Sequence, residues 1–149
     1  MRAVVQRVQE ARVEVDGRTV GAIGRGVLIL LGIEHPDGAA DADYLASKII
    51  NLRIFEDSEQ RFNLSLAAIR GEALVVSQFT LLADCRKGRR PSFDAAASPE
   101  QARRLYEYFI RVMENASIAV ASGEFQASMK VHLVNDGPVT VLLDSNKLF

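Results

Sequence analysis

One stretch, Val27-Leu28-Ile29-Leu30-Leu31-Gly32-Ile33, constrains the chain more than any other. It is far shorter than the roughly 20 residues of a membrane-spanning helix and has the length of a strand. An apolar run without polar alternation fits a central strand buried on both faces. Such a strand needs cover on each side, so the chain must build more than one layer around it. A second run, Ala73–Leu82 (ALVVSQFTLL), reads as another buried strand, with Ser77, Gln78 and Thr80 set into it. By the two-residue period of a strand, Gln78 and Thr80 share one face and Ser77 and Phe79 the other.

The rest of the chain supplies the cover. Residues 2–8 and 11–15 read as two strands, and Asp16-Gly17 as a hairpin turn into a third near residues 19–23. Arg7 falls on the apolar face of its strand, where an arginine needs a partner unless the edge is exposed. Ala42, Leu45, Ala46, Ile49 and Ile50 recur at helical spacing, which predicts a helix from about Asp41 to Leu52. Ser98-Pro99-Glu100-Gln101 marks a second helix start, with a serine cap, proline at the first position and glutamine placed for a capping box. That helix runs to about Asn115, with Ala102, Leu105, Tyr106, Phe109, Val112 and Met113 as its buried stripe. Residues 52–55 look extended, while residues 63–66 fit either a short strand or a turn. A strand is expected at residues 117–121. Phe125, Ala127, Met129, Val131 and Leu133 alternate as a half-buried strand running into Gly137-Pro138, and residues 139–143 form the last strand. The result is a single α+β domain over residues 1–149, with mixed sheets and two main helices.

Charge and chemistry narrow the function. A net charge of −1 argues against wholesale coating of nucleic acid but leaves room for a local basic patch. Arg86, Lys87, Arg89 and Arg90 around Gly88 form such a patch, or a solvated loop. Cys85 is the only cysteine, so no intrachain disulfide forms. With no apolar leader, that points to a reducing, cytoplasmic setting. The two histidines, His35 in a turn and His132 turned toward solvent, give no metal-ligand spacing, and no cofactor or membrane contact is implied. Neither follows Ser77 or Thr80 at a triad spacing. Gly137-Pro138 offers a bare carbonyl and an approachable backbone, since glycine tolerates any φ and proline donates no backbone proton.

Taken together, SQFTL at 77–81 and NDGPVT at 135–140 make the chain resemble the D-aminoacyl-tRNA deacylase (D-tyrosyl-tRNA deacylase) family. MRAVVQRV, DADYLASKI, NLRIFED and RKGRRPSF extend the likeness over nearly the whole length. The resemblance implies a β/β/α layered, barrel-like fold and a homodimer with active sites at the subunit interface. It implies hydrolysis of the ester between a D-amino acid and the 3′-terminal adenosine of tRNA. Gly137 and Pro138, joined by a cis bond, would reach into the partner's site and hold the substrate amino group. An L-amino acid would drive its side chain against that backbone, whereas glycine would escape exclusion. Ser77, Gln78, Phe79 and Thr80 would line the pocket and supply amides near Gln78 and Phe79 to the ester carbonyl. Chemistry would fall to Thr80 or to the terminal ribose 2′-hydroxyl. Arg7 would brace the Gly-Pro loop, and Arg86, Lys87, Arg89 and Arg90 would meet tRNA phosphates. Met129 would join the substrate pocket. Two positions depart from the family pattern: Gln126 stands where glycine is usual, and Phe62 where methionine is common.

The physical logic is coherent. Backbone recognition at the α-carbon works for any side chain, and an ester needs less activation than an amide. A bulky residue at Gly137 is expected to fill the pocket and abolish activity without unfolding the chain. A rival reading, an inert module that only holds tRNA ends, accounts for the basic loop but not for SQFTL and GPVT together. A purely structural dimer accounts for neither motif.

Overall fold

The computed structural model describes all residues 1–149. The chain opens with β1 (Arg2–Val15), a single strand where two were expected. Residues 8–10 do not turn; they pass through register shifts against a later strand, and such bulges absorb extra residues without ending the ladder. Asp16 and Gly17, at φ of 50° and 75°, close a two-residue hairpin onto β2 (Arg18–Ile23). The central run forms β3 (Gly26–Gly32), antiparallel to β1. Helix α1 (Ala39–Asn51) follows, its Gly38 N–H capped by the Asp41 carboxylate at 2.9 Å. The pair β4 (Phe55–Glu56) and β5 (Phe62–Leu64) forms a separate small sheet. Next come β6 (Glu72–Ser77), helix α2 (Pro99–Asn115), β7 (Ala119–Ser122) and β8 (Lys130–Asp144).

The large sheet runs β2-β1-β3-β6-β7, with β8 along the other side of β1. Strands β3, β6 and β7 are parallel. The sheet curls until β2 meets β7, so closely that a Cβ at Gly21 would collide with the Ser122 carbonyl. This near-closure makes a barrel with its own interior of Val8, Val13, Leu28, Leu74 and Val76. The outer face carries Val27, Ile29 and Leu31, which pack on Leu45 and Ile49 of α1 and Leu105 and Phe109 of α2. Strand β3 is thus buried on both faces, as its composition requires, and the domain is α+β. No helix is long and apolar enough to cross a membrane.

The structure departs from the sequence reading at three places that matter. First, the run 73–82 is not one strand: β6 ends at Ser77 and a 3-10 helix takes Phe79–Leu82. Its parallel neighbour β3 stops at Gly32, so no ladder remains to hold those residues extended, and Leu82 is buried by turning inward. The strand alternation of residues 78–80 therefore does not apply. Second, residues 123–129 are not a strand. Gln126 at φ 66° breaks it, and Ala127 N–H bonds to Glu124 O in a turn at 3.2 Å. Third, Gly137-Pro138 does not separate two strands but lies inside β8. Gln6 pairs with Thr140 and Val8 with Asn135, so Arg7 alone faces residues 136–139, a bulge in which the proline's missing donor costs no ladder bond. The Gly137-Pro138 peptide is cis.

A smaller difference concerns α2. Ser98 Oγ accepts from Gln101 N at 3.4 Å, but the Gln101 side chain does not return the bond. It donates instead to the carbonyls of His35 (2.9 Å) and Asp37 (3.2 Å), tying α2 to the loop before α1.

Candidate active site

The carboxyl ends of β3, β6 and β7 point the same way, toward the side of a parallel sheet where ligands are usually held. There they open on a cleft of about 540 Å³, within the ~300–1,000 Å³ common for small-molecule sites. Leu31 and Ile33 come from the end of β3, Val76 and Ser77 from β6, and Pro99 and Ala102 from the first turn of α2. Gln78 and Phe79 close one wall; Phe125, Gln126, Ala127, Met129 and Val131 form the other. The fold thus brings Ser77, Gln78, Phe79 and Met129 into one place. Thr80 is exposed in the first turn of the 3-10 helix beside the cleft.

Hydrogen bonds narrow what each group can do. Gln78 N–H is already donated to Leu31 O at 2.8 Å, which removes it as an oxyanion donor. Phe79 and Thr80 open the 3-10 helix, and the first N–H groups of a helix have no partner within it. The first bond of that turn runs from Leu81 N–H to Gln78 O at 3.2 Å. The available amides are thus displaced by one residue from the expected pair, to Phe79 and Thr80. The Thr80 hydroxyl accepts from the Gln78 side-chain amide, a group that cannot take its proton. His132 sits on the outer face, 3.2 Å from Glu14 and against Arg12, and His35 spends its backbone on Ala95 and Gln101. No imidazole or carboxylate contacts Thr80.

The walls are braced by contacts between parts of the chain far apart in sequence. Arg2 donates to Leu81 O at 3.3 Å while paired with Glu34 and Asp144, each at 3.1 Å, and so holds the far end of SQFTL. Tyr106, buried in the core as its helical stripe predicts, donates to Val75 O at 2.8 Å just before Ser77. Burial pushes its phenol up to about 12. Phe125 packs between the Tyr106 ring, 5.7 Å between centroids, and the Arg103 guanidinium, 4.8 Å from its centroid. Gln126, left-handed and exposed on this wall, explains why glycine suits the position.

The second motif lies elsewhere. Gly137 and Pro138 are exposed and line no part of this cleft. Arg7, opposite them, pairs with Val27, whereas Ser77 pairs with Leu31. The two motifs are therefore offset by roughly 13 Å along the strands and by up to roughly 14 Å across the curved sheet. Arg7 is buried, with Nε donating to Asp136 O at 2.8 Å and Nη1 to Ile54 O at 2.7 Å. Its guanidinium lies 5.2 Å from the Phe62 ring centroid and 3.6–3.7 Å from the Asp136 and Glu56 carboxylates. It is not an exposed-edge arginine; it ties the Gly-Pro bulge to residues 54–62. Gly137 has φ 136°, and a Cβ there would stand 3.0 Å from Arg7 Nη2 and 2.7 Å from Val139 Cγ2. A larger residue would therefore strain the bulge before it filled any pocket, which corrects the expectation of a clean block.

The basic loop leaves the 3-10 helix through a backbone pair, Asp84 N–H to Ser92 O at 2.8 Å and the reverse at 3.0 Å. Arg86 folds back onto Asp84 with two side-chain bonds, at 2.9 and 2.7 Å. Those bonds hold the Asp84 carboxyl well below the usual carboxylate range and raise Arg86. Lys87, Arg89 and Arg90 remain exposed without an internal partner.

Comparison with known proteins identifies related chains and a shared fold. A family model described as D-Tyr-tRNA(Tyr) deacylase matches residues 4–144. The D-aminoacyl-tRNA deacylase of Geotalea uraniireducens (strain Rf4) is 61% identical over 147 residues, 99% of this chain and 95% of the relative. That of Thermosipho africanus (strain TCF52B) is 58% identical over 149 residues and spans 100% of both chains. A solved structure titled c-Myc DNA Unwinding Element Binding Protein superposes with a TM-score of 0.91 at 41% identity, over 97% of this chain and 98% of that one. A probable eukaryotic D-amino acid tRNA deacylase shares the fold, with a TM-score of 0.82 at 19% identity over 95% and 97% of the two chains.

Proposed function

The chain belongs to the D-Tyr-tRNA(Tyr) deacylase family, hydrolases that act on the ester of D-aminoacyl-tRNA, and on that premise we propose how its residues carry out the reaction. The aminoacyl-adenosine end of tRNA occupies the cleft beside Ser77–Thr80. The Gly137-Pro138 backbone of a second copy closes that cleft and holds the α-amino group. A D-amino acid then directs its side chain outward, an L-amino acid collides with the backbone, and glycine, with no side chain, is accepted. The observation that carries this reading is the separation of the two motifs: the Gly-Pro bulge is exposed and outside its own chain's cleft. It lies on β8, whose outer edge pairs with no strand and exposes Val134 and Leu142. A two-fold partner covers such an edge and completes each site. The working location is the cytoplasm, where charged tRNA is used.

Water adds to the ester carbonyl, and the Phe79 and Thr80 N–H groups stabilise the oxyanion that forms. The ribose 2′-hydroxyl, fixed beside the ester by covalent geometry, orients that water and relays its proton to the departing 3′-oxygen. Free D-amino acid and tRNA with a 3′-hydroxyl leave. Thr80 supports the site and is not the nucleophile, because a threonine hydroxyl needs an adjacent base and its partner is a hydrogen-bond donor. Two measurements test this: Thr80→Ala in the enzyme, and a 2′-deoxy terminal adenosine in the substrate. Thr80→Ala keeps a measurable rate and the deoxy substrate is nearly inert. The opposite pattern makes Thr80 the nucleophile.

A further inference from the structure

Phe79 and Phe93 are 58% and 36% exposed, yet they pack on each other with ring centroids 5.1 Å apart at 66°. Leaving two phenyl rings at the surface forgoes the stabilisation that burying either would bring, so the pair calls for an occupant. Its position says which. Phe79 lines the cleft, and Phe93 directly follows the Asp84–Ser92 pair that closes the base of the basic loop. A ligand leaving the cleft toward Lys87, Arg89 and Arg90 therefore crosses these two rings. Phosphates match the cations, and flat aromatic bases match the rings. Unpaired nucleotides carry both, and stacking on phenyl groups works for any base.

We propose that Phe79 and Phe93 form a stacking platform for the unpaired bases that precede the terminal adenosine of tRNA, with Lys87, Arg89 and Arg90 taking the phosphates between them. The proposal rests on the reading that the aminoacyl end of tRNA occupies the cleft. It adds a division of labour: the cleft selects the amino acid, and the platform recognises a single-stranded end without regard to the tRNA body.

The chain has no tryptophan, so Phe93→Trp supplies a single tryptophan at the platform, excited apart from the three tyrosines at the red edge of the absorption band. The trinucleotide CpCpA quenches it, and the same backbone with abasic sugars at the first two positions, equal in charge, does not. In parallel, Phe93→Ala lowers kcat/KM on D-tyrosyl-tRNA by between about fivefold and about 160-fold, the span for losing one base–aromatic stack. It leaves hydrolysis of D-tyrosyl-adenosine, which lacks those bases, at the wild-type rate, and Phe93→Trp restores the tRNA rate. Equal quenching by both oligonucleotides, or equal loss on both substrates, overturns the proposal and makes Phe93 scaffold or a contact with a second copy. If wild-type protein cleaves neither substrate, the deacylase reading fails, and the fluorescence experiment still decides the platform. If wild type cleaves both and Phe93→Ala cleaves the tRNA normally, only the platform fails.

Discussion

Arg7→Lys tests the brace that links the Gly-Pro bulge to the rest of the domain. The Arg7 guanidinium donates to two carbonyls at once, Ile54 O at 2.7 Å and Asp136 O at 2.8 Å, from a buried position. A hydrogen bond from a charged donor contributes about 1.5–3 kcal/mol. The nearby Glu56 and Asp136 carboxylates are 45% and 38% exposed, so each ion pair adds under about 1 kcal/mol. Lysine keeps the charge but presents one compact head in place of a planar fork, and reaches one carbonyl at a time. Arg7→Lys therefore costs about 1.5–3 kcal/mol, read as a lower urea midpoint at unchanged slope. Arg7→Ala loses both bonds, about 3–6 kcal/mol, which approaches the whole stability of an ordinary domain and makes lysine the more informative change. In the proposed arrangement the freed bulge no longer sits where the cleft of a second copy needs it. A displacement of about 1 Å at such a point lowers deacylation roughly a hundredfold, well beyond the unfolded fraction. An unchanged midpoint with full activity refutes the brace. A lowered midpoint with full activity refutes its link to the site.

Two further outcomes follow from the surface. Replacing Arg89 and Arg90 with serine flattens the log–log salt dependence of tRNA binding by about 1.5–2, while Arg86→Ser, removing a cation already held by Asp84, flattens it by less. An unchanged slope assigns the loop to solvated surface. Sedimentation at assay concentrations shows a two-chain species, and a fully active monomer contradicts the partner-completed site.

How much of this was legible beforehand depends on whether a residue's surroundings are local. Val27–Ile33 announces a doubly buried strand because the run is unbroken by polar residues, of strand length and preceded by the Gly24-Arg25-Gly26 turn, and Ser98-Pro99 announces a helix start through atoms within one turn. The end of β6 at Ser77 was hidden, because it depends on where β3 stops, more than 40 residues earlier in the chain. Gln78 looked free to serve the site until Leu31 O took its N–H. Arg7 was visible as a charge on an apolar face, but its partners Ile54 and Asp136 are tertiary. The left-handed backbone at Gln126 was foreshadowed only by the glycine usual in the family. Arg2 and Phe93 lie in stretches that carry the family likeness, MRAVVQRV and RKGRRPSF, but nothing local to them or to Arg103 shows what the fold sets beside each.

The most direct test compares enantiomers on one tRNA. Wild-type protein is mixed with D-tyrosyl-tRNA or L-tyrosyl-tRNA under the same conditions, and release of free tyrosine is followed to single turnover. The account predicts rapid release of D-tyrosine, with L-tyrosine lost no faster than by spontaneous hydrolysis. Comparable release of both enantiomers, or none of the D form, contradicts it.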